Sequence, residues 1–318
     1  MALRARKRIA KGPLGAPSSL LPPVTPEASD TARAMLFALG AFFFLTLMDA
    51  FAKALGHRGY DPMQSVWMRY AVNAAILTLI YARHLPRHFK SRHPGLQLAR
   101  ASAQMVAATC FFFAIREIGL AEATALADLN PVIVSLGAGL FLGERLGPHR
   151  IFGIALAFAG AMIILRPGTG VIAPGAILAL VTAVSFATGM LITRKVRGDS
   201  TATSLLWASY IGLAIASLAQ PFVWRTPAPA DLWLFLAIGL AGTMGQFLMI
   251  RAFTMAEAST LAPFGYTGLI FASLWGFMFF GSLPDGFTIL GALVIIGAGL
   301  YVWWRERRAA QSLHKSPR

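Results

Sequence analysis

Three ionisable residues stand where charge is expensive. Asp49, Arg69 and Asp128 each interrupt a long apolar stretch of a 318-residue chain. Counted from the ends of those stretches at 1.5 Å per residue, all three fall roughly 8–10 Å below the same face of a bilayer. An ionisable group at that depth must be paired or wetted, and as a rule it marks a substrate, ion or proton path. Arg69 between Asp49 and Asp128 leaves the trio at −1, so one carboxyl can hold a proton or face a cationic group of a ligand. The same residues also fit a structural Asp49–Arg69 pair that fixes helix register. Lys53, one turn after Asp49, is an alternative partner that would free Arg69 for an anionic group.

Uncharged candidates surround this layer. Asn130 and Pro131 follow Asp128 and interrupt their apolar run, and Pro263, with Gly265, interrupts another. A proline inside a helix lacks an N–H and bends or breaks it. Trp67, Tyr70 and Asn73 lie near Arg69, while Gln104, Tyr210, Gln246 and Tyr266 fall toward the middle or the inner half. Aromatic rings beside amides suit a planar or zwitterionic metabolite, since stacking holds the ring and amides fix its polar edge. They suit helix packing and a lipid interface equally well.

The elements that carry these residues follow from composition. The chain is 57% hydrophobic and 13% charged, with a mean hydropathy of +0.64, whereas a soluble domain carries about 25% charged residues. Ten apolar runs are legible, near 34–54, 62–82, 97–115, 122–142, 149–165, 174–193, 202–223, 231–250, 258–281 and 287–304, each close to the ~20 residues of a transmembrane helix. The connections are short, so neighbouring helices are antiparallel in one all-α integral membrane bundle. With the N-terminus inside, 22 of the 28 Lys and Arg residues fall in inside segments and five in outside ones. That bias predicts cytoplasmic termini and a multi-pass protein of the cell (inner) membrane. The net charge of +15 therefore reports orientation, and no nucleic-acid partner is implied.

The chain is also duplicated. Ile115–Ala127 reads IREIGLAEATALA and Ile250–Ala262 reads IRAFTMAEASTLA, identical at seven of thirteen positions. Five spans separate the copies, an odd number, so the second half is inverted relative to the first. Inverted repeats with paired helix interruptions are the usual build of secondary transporters, whose halves rock about a central site. The expected organisation is a disordered basic tail over 1–33, a first repeat over 34–166, a second over 174–305 and a basic cytoplasmic tail over 306–318. Small residues recur every fourth position at Ser135, Gly139 and Gly143, and at Gly153, Ala157 and Ala161. Such stripes let helices approach closely; they are compatible with a homodimer seam without requiring one.

The chain has one cysteine, no HExxH and no Walker A sequence, so neither the usual zinc-protease site nor an ATP motor is encoded. No cofactor or metal is called for.

The stretch Ala127–Leu165, ADLNPVIVSLGAGLFLGERLGPHRIFGIALAFAGAMIIL, resembles the end of an EamA domain of the drug/metabolite transporter superfamily. Pro263–Tyr301, with FGSLPD before a glycine-rich helix, resembles the end of a second one. The resemblance covers about residues 34–305 and implies ten helices in two inverted repeats around a central cavity. Ser282 stands where the family commonly has Glu, whereas the first half keeps Glu144. MDAFAKAL (Met48–Leu55) followed by MQSVWMRY (Met63–Tyr70) is similar to riboflavin and S-adenosylmethionine carriers of that family, and places Asp49, Lys53, Gln64 and Arg69 among recurrent positions. The expected function is secondary transport of a small polar metabolite, either a riboflavin-like heteroaromatic, S-adenosylmethionine or an amino-acid-like compound. An exporter of drugs or amino acids, and a membrane-embedded enzyme acting on a lipid-linked substrate, are the alternatives.

Overall fold

The computed structural model describes residues 28–142, 147–166, 173–196, 199–256 and 258–315. Every regular element among them is a helix. Besides short helical turns at Ala82–His84, Leu85–His88 and Pro229–Asp231, these are, in chain order, α1 (Ala28–His57), α2 (Pro62–Tyr81), α3 (Pro94–Glu117), α4 (Leu120–Ala127), α5 (Asn130–Leu142) and α6 (Pro148–Leu165). They continue with α7 (Pro174–Lys195), α8 (Thr201–Val223), α9 (Leu232–Met255), α10 (Ala258–Leu261), α11 (Thr267–Phe280) and α12 (Gly286–Lys315). A 3₁₀ turn, Ala262–Tyr266, joins α10 to α11. Helices α4 and α5 together form span four, and α10, the 3₁₀ turn and α11 form span nine; the remaining helices are one span each.

Eight helical segments are long and apolar enough to cross a membrane by length and composition. The other two crossings are α2, which carries Gln64, Arg69 and Asn73, and the divided α4–α5. Span two misses the apolar standard because it holds polar residues, and span four because its break leaves helices of 8 and 13 residues. The first and last helices exceed the expected spans: α1 starts at Ala28 and α12 runs on to Lys315. Residues 1–27 of the expected N-terminal tail, residues 316–318 of the C-terminal one, Gly143, Glu144 and Glu257 lie outside the described residues.

Local chemistry sets the helix starts. Pro62, Pro94, Pro148 and Pro174 open their helices, where a missing N–H costs nothing. Asp61 accepts from the Met63 N–H at 2.8 Å, Ser200 from the Thr203 N–H at 3.1 Å and Asp285 from the Thr288 N–H at 2.9 Å. Gly119 is the N-cap of α4, and the glutamate of the duplicated motif, Glu122, stands three residues on, the position of the carboxylate in a capping box.

Helix packing displays the duplication. Span one lies along span eight, and span six along span three; span one meets nine as six meets four; span two meets eight as seven meets three. Spans two and seven pack on each other, as do five and ten. Exchanging each span with the one five places on returns these principal contacts, whereas span three also meets spans one and two without a counterpart of that extent between span eight and spans six and seven. Two mixed bundles result, one of spans one, two, eight and nine, the other of spans three, four, six and seven, with five and ten as a seam. Gly153, Ala157 and Ala161 are buried in that seam. A Cβ at Gly160 would lie 2.8 Å from the Gly291 carbonyl oxygen. The span-five stripe is thus occupied within the chain.

Each bundle is tied at one end. At the end bearing the α1–α2 connection, called the far end below, Asp231 accepts from Arg58 and from the Tyr60 hydroxyl at 2.7 Å. At the opposite, near end, Asp199 accepts from Ser91, from the Arg92 N–H and from Gln97, the last two at 2.9 Å. Burial pushes the Asp199 carboxyl up, but the hydrogen bonds from Gln97, Ser91 and Arg92 outweigh it and hold the group below the usual range.

Candidate substrate site

The helix break that positions Asp128 has a local cause. Pro131 offers no N–H, and its ring crowds the carbonyl four residues earlier, that of Ala127, where α4 ends. The chain turns through Asp128 and Leu129, with the Asp128 N–H on the Thr124 carbonyl at 2.9 Å, and α5 begins at Asn130. Pro263 acts likewise in span nine, where α10 stops at Leu261 and the 3₁₀ turn replaces helix up to Tyr266.

The observed helix ends keep the three ionisable residues in one layer. Asp49 lies eight residues before the end of α1, Arg69 seven residues after the start of α2 and Asp128 eight after the start of α4, so each is about 10–12 Å from the far end by helical rise. They do not form a linked triad. Among the described residues, no ion pair joins Arg69 to Asp49 or Asp128. Asp49 is half-buried and feels the Arg69 charge. The Arg69 guanidinium lies 5.6 Å from the Tyr70 ring and 6.0 Å from the Phe112 ring, so two aromatic faces hold the cation without neutralising it. The Asp128 Oδ2 atom is buried without a hydrogen-bond partner. Tyr266 is the neighbour that feels its charge, with its hydroxyl over Gly299, where a Cβ would collide with it.

The uncharged candidates divide into two groups. Asn73 of span two donates to Gln246 of span eight at 3.1 Å, an amide pair near mid-membrane inside one bundle. Trp67, by contrast, donates to Ser217 at 2.9 Å and meets the Trp224 ring edge-on at 5.8 Å, which places it at the contact of spans two and seven. Tyr210 shares a 2.6 Å hydrogen bond with Thr78 across the same contact. Tyr70 is buried against Gly212, where a Cβ would stand 2.6 Å from the ring. Gln104 accepts from Arg100 at 3.2 Å.

Two basic residues have structural positions that charge counting overlooks. Arg100, assigned to the near-end interface by the orientation count, is buried and donates to Gln97, Gln104 and the Ser204 carbonyl. Gln97, Arg100 and Gln104 share one face of α3 at i, i+3 and i+7, a spacing that could have marked them. Lys53 does not pair with Asp49. It donates to the carbonyls of Ile115 and Ile118, the second at 2.7 Å.

A cavity of about 440 Å³ opens at the far end between spans four, five, nine and ten. Glu122, Arg166, Asp285 and Thr288 are among its lining residues. Arg166 pairs with Asp285 across the seam. Bonds from Thr288 and from the Arg166 guanidinium hold the Asp285 carboxyl down to about 2.

An inverted ten-span bundle with unneutralised charges in a broken-helix layer is the architecture of a secondary transporter. The sequence model of the EamA-like transporter family matches residues 32–166 and again 173–304. The chain belongs to that family, and it is a multi-pass membrane transporter of small metabolites. It is 32% identical to a riboflavin transporter of Rhizobium johnstonii over 69% of this chain and 73% of that one. It is 26% identical to an S-adenosylmethionine uptake transporter of Rickettsia felis over 91% and 99% of the two chains. A pseudopaline exporter of Pseudomonas aeruginosa is 30% identical over 83% and 93%. One solved crystal structure superposes with a TM-score of 0.61 at 16% identity, over 87% of this chain and 99% of that one; this likeness is one of fold.

Proposed function

We propose that the chain is a secondary carrier of a small zwitterionic metabolite, amino-acid-like or S-adenosylmethionine-like, in the cell (inner) membrane with both termini in the cytoplasm. The near end is then cytoplasmic and the far end external. The observation that carries this reading is Arg69, a half-buried cation flanked by rings and joined to no carboxylate among the described residues. It shares its depth with two carboxyls from opposite bundles. A substrate carboxylate fits Arg69 and a substrate ammonium fits Asp49 or Asp128, so a zwitterion bridges the bundles where a neutral heteroaromatic uses only the rings.

Asp128, half-buried with one buried, unsatisfied oxygen, is the group to carry a coupling proton. The Asn73–Gln246 pair and Tyr266 complete the lining, and the breaks at Pro131 and Pro263 supply freed backbone groups. The repeats run over 34–166 and 174–305. The transporter family match and the relatives' names favour a carrier over an enzyme. The relatives' names include both uptake and export, in keeping with a carrier that works in either direction along its gradient. Purified protein in liposomes tests the substrate class. Labelled amino-acid-like zwitterions should exchange and free riboflavin should not; exchange of riboflavin alone would contradict it.

A further inference from the structure

We propose that Lys53 is the bolt of the external gate, held shut by the C-terminal carbonyls of span three; this rests on the carrier reading and orientation given above. Lys53 lies one helical turn beyond Asp49 toward the far end and is 6% exposed. It belongs to the bundle of spans one, two, eight and nine, yet its Nζ crosses to the other bundle and donates to the Ile115 and Ile118 carbonyls. These oxygens lie at the end of α3, where the last carbonyls lack helical partners and the helix dipole is negative. An ammonium is the group such an end holds best.

The surroundings complete a closed contact. The Phe280 ring lies 5.6 Å from Nζ, and Glu122 is the carboxylate whose charge acts on it. One turn farther out spans one and three still meet, for a Cβ at Gly56 would be in ordinary van der Waals contact with the Arg116 side chain at 3.7 Å. Glu122 also lines the 440 Å³ external cavity. The bolt therefore lies between that cavity and the layer of Asp49.

Besides spans two and three and spans four and nine, which also meet across the bundles, two contacts are of a different kind. Spans two and seven are hydrogen-bonded both at Trp67–Ser217 and, much deeper, at Thr78–Tyr210. Spans five and ten are joined at both ends, by Arg166–Asp285 and by His149–Tyr301. Contacts that run the depth of the membrane suit an axis. Lys53 joins spans one and three at one end only, as a gate must. When these spans part, the ammonium leaves two carbonyls and a ring, and is rehydrated beside Glu122.

The test is the access of water-borne reagent to the central layer. In a Cys110→Ser background, Asp128→Cys provides a half-buried reporter thiol for a membrane-impermeant methanethiosulfonate, applied from either side. Lys53→Met should speed labelling from outside about tenfold or more, as expected for loss of hydrogen bonds made by a charged group, without a matching rise from the cytoplasmic side. Lys53→Arg should restore slow labelling. Unchanged external labelling, or an equal rise from both sides, overturns the gate and makes Lys53 a simple helix cap. If Lys53→Met fails to reach the membrane, Gly56→Leu, which wedges the same two spans apart, carries the same expectation and the same refutation. Labelling needs no substrate, so failure here leaves liposome exchange standing, and failed exchange leaves this result standing.

Discussion

The two broken spans are alike in backbone and unlike in chemistry. Span four parts at Asp128–Leu129, just before Pro131; span nine passes through a 3₁₀ turn around Pro263. In the first, the break presents a carboxyl with a buried, unbonded oxygen. In the second, it presents Tyr266, whose hydroxyl fits over Gly299. On the proposed function, duplication supplies a hinge-bearing frame for the motion, and single residues such as Asp128 make the site polar on one side for recognition.

The strongest challenge to that contrast is the charge itself. Asp128→Asn should reduce exchange at least tenfold, the order of effect expected from a group that binds or carries charge in the rate-limiting step, with normal membrane insertion. Tyr266→Phe should cost much less, about threefold, because the ring remains. Equal losses for the two would show that the breaks are chemically equivalent. Arg69→Gln should impair exchange as severely as Asp128→Asn while raising KM more than the uncharged Tyr266→Phe does.

Packing gives a smaller, separable effect. Gly160→Ala places a methyl 2.8 Å from the Gly291 carbonyl oxygen; overpacking of this sort costs about 1–3 kcal/mol. Thermal unfolding in detergent should register it, whereas the same change at Gly297, which has open space around its Cβ, should be nearly silent.

The smallest expected effect concerns pH. Asp285 is held down to about 2, below its ordinary 3.8. Its contribution is fully present above the ordinary value and is lost as pH falls through the lower one, in the window from pH 4 to 2. The partners are partly exposed, so the change is modest. Asp285→Asn should flatten the acid limb of a stability–pH curve over that window by lowering neutral stability by this modest amount, with stability near pH 2 little altered.

Much of this frame is legible in the sequence because a bilayer accepts few alternatives. A backbone in hydrocarbon must satisfy its own hydrogen bonds, so ten apolar runs are ten helices. The IR–AEA motif shows the duplication, and depth counting places Asp49, Arg69 and Asp128 in one layer. Side-chain direction is another matter. Arg100 and Lys53 read as topological charges, yet each turns inward to a carbonyl that only the packed bundle brings near. The partners lie far along the chain, with Ser204 and Ile118 on other helices, and no spacing rule reaches them. Trp67 and Tyr210 illustrate the converse. Their types suit a ligand cavity, while the packing of spans two and seven occupies their polar atoms. The glutamate of the repeated motif, which draws the eye as a charge, stands in the first turn of a helix, where its charge suits the helix dipole.

Arg69, joined to no carboxylate among the described residues, is proposed to recognise the anionic end of a zwitterion carried between the two bundles. Counterflow into liposomes preloaded with amino-acid-like zwitterions measures this recognition most directly, comparing each compound with its amide, which lacks the carboxylate. The native protein should accumulate the labelled zwitterion and discriminate strongly against the amide, and Arg69→Gln should lose that discrimination. Equal counterflow of zwitterion and amide by the native protein would contradict the account.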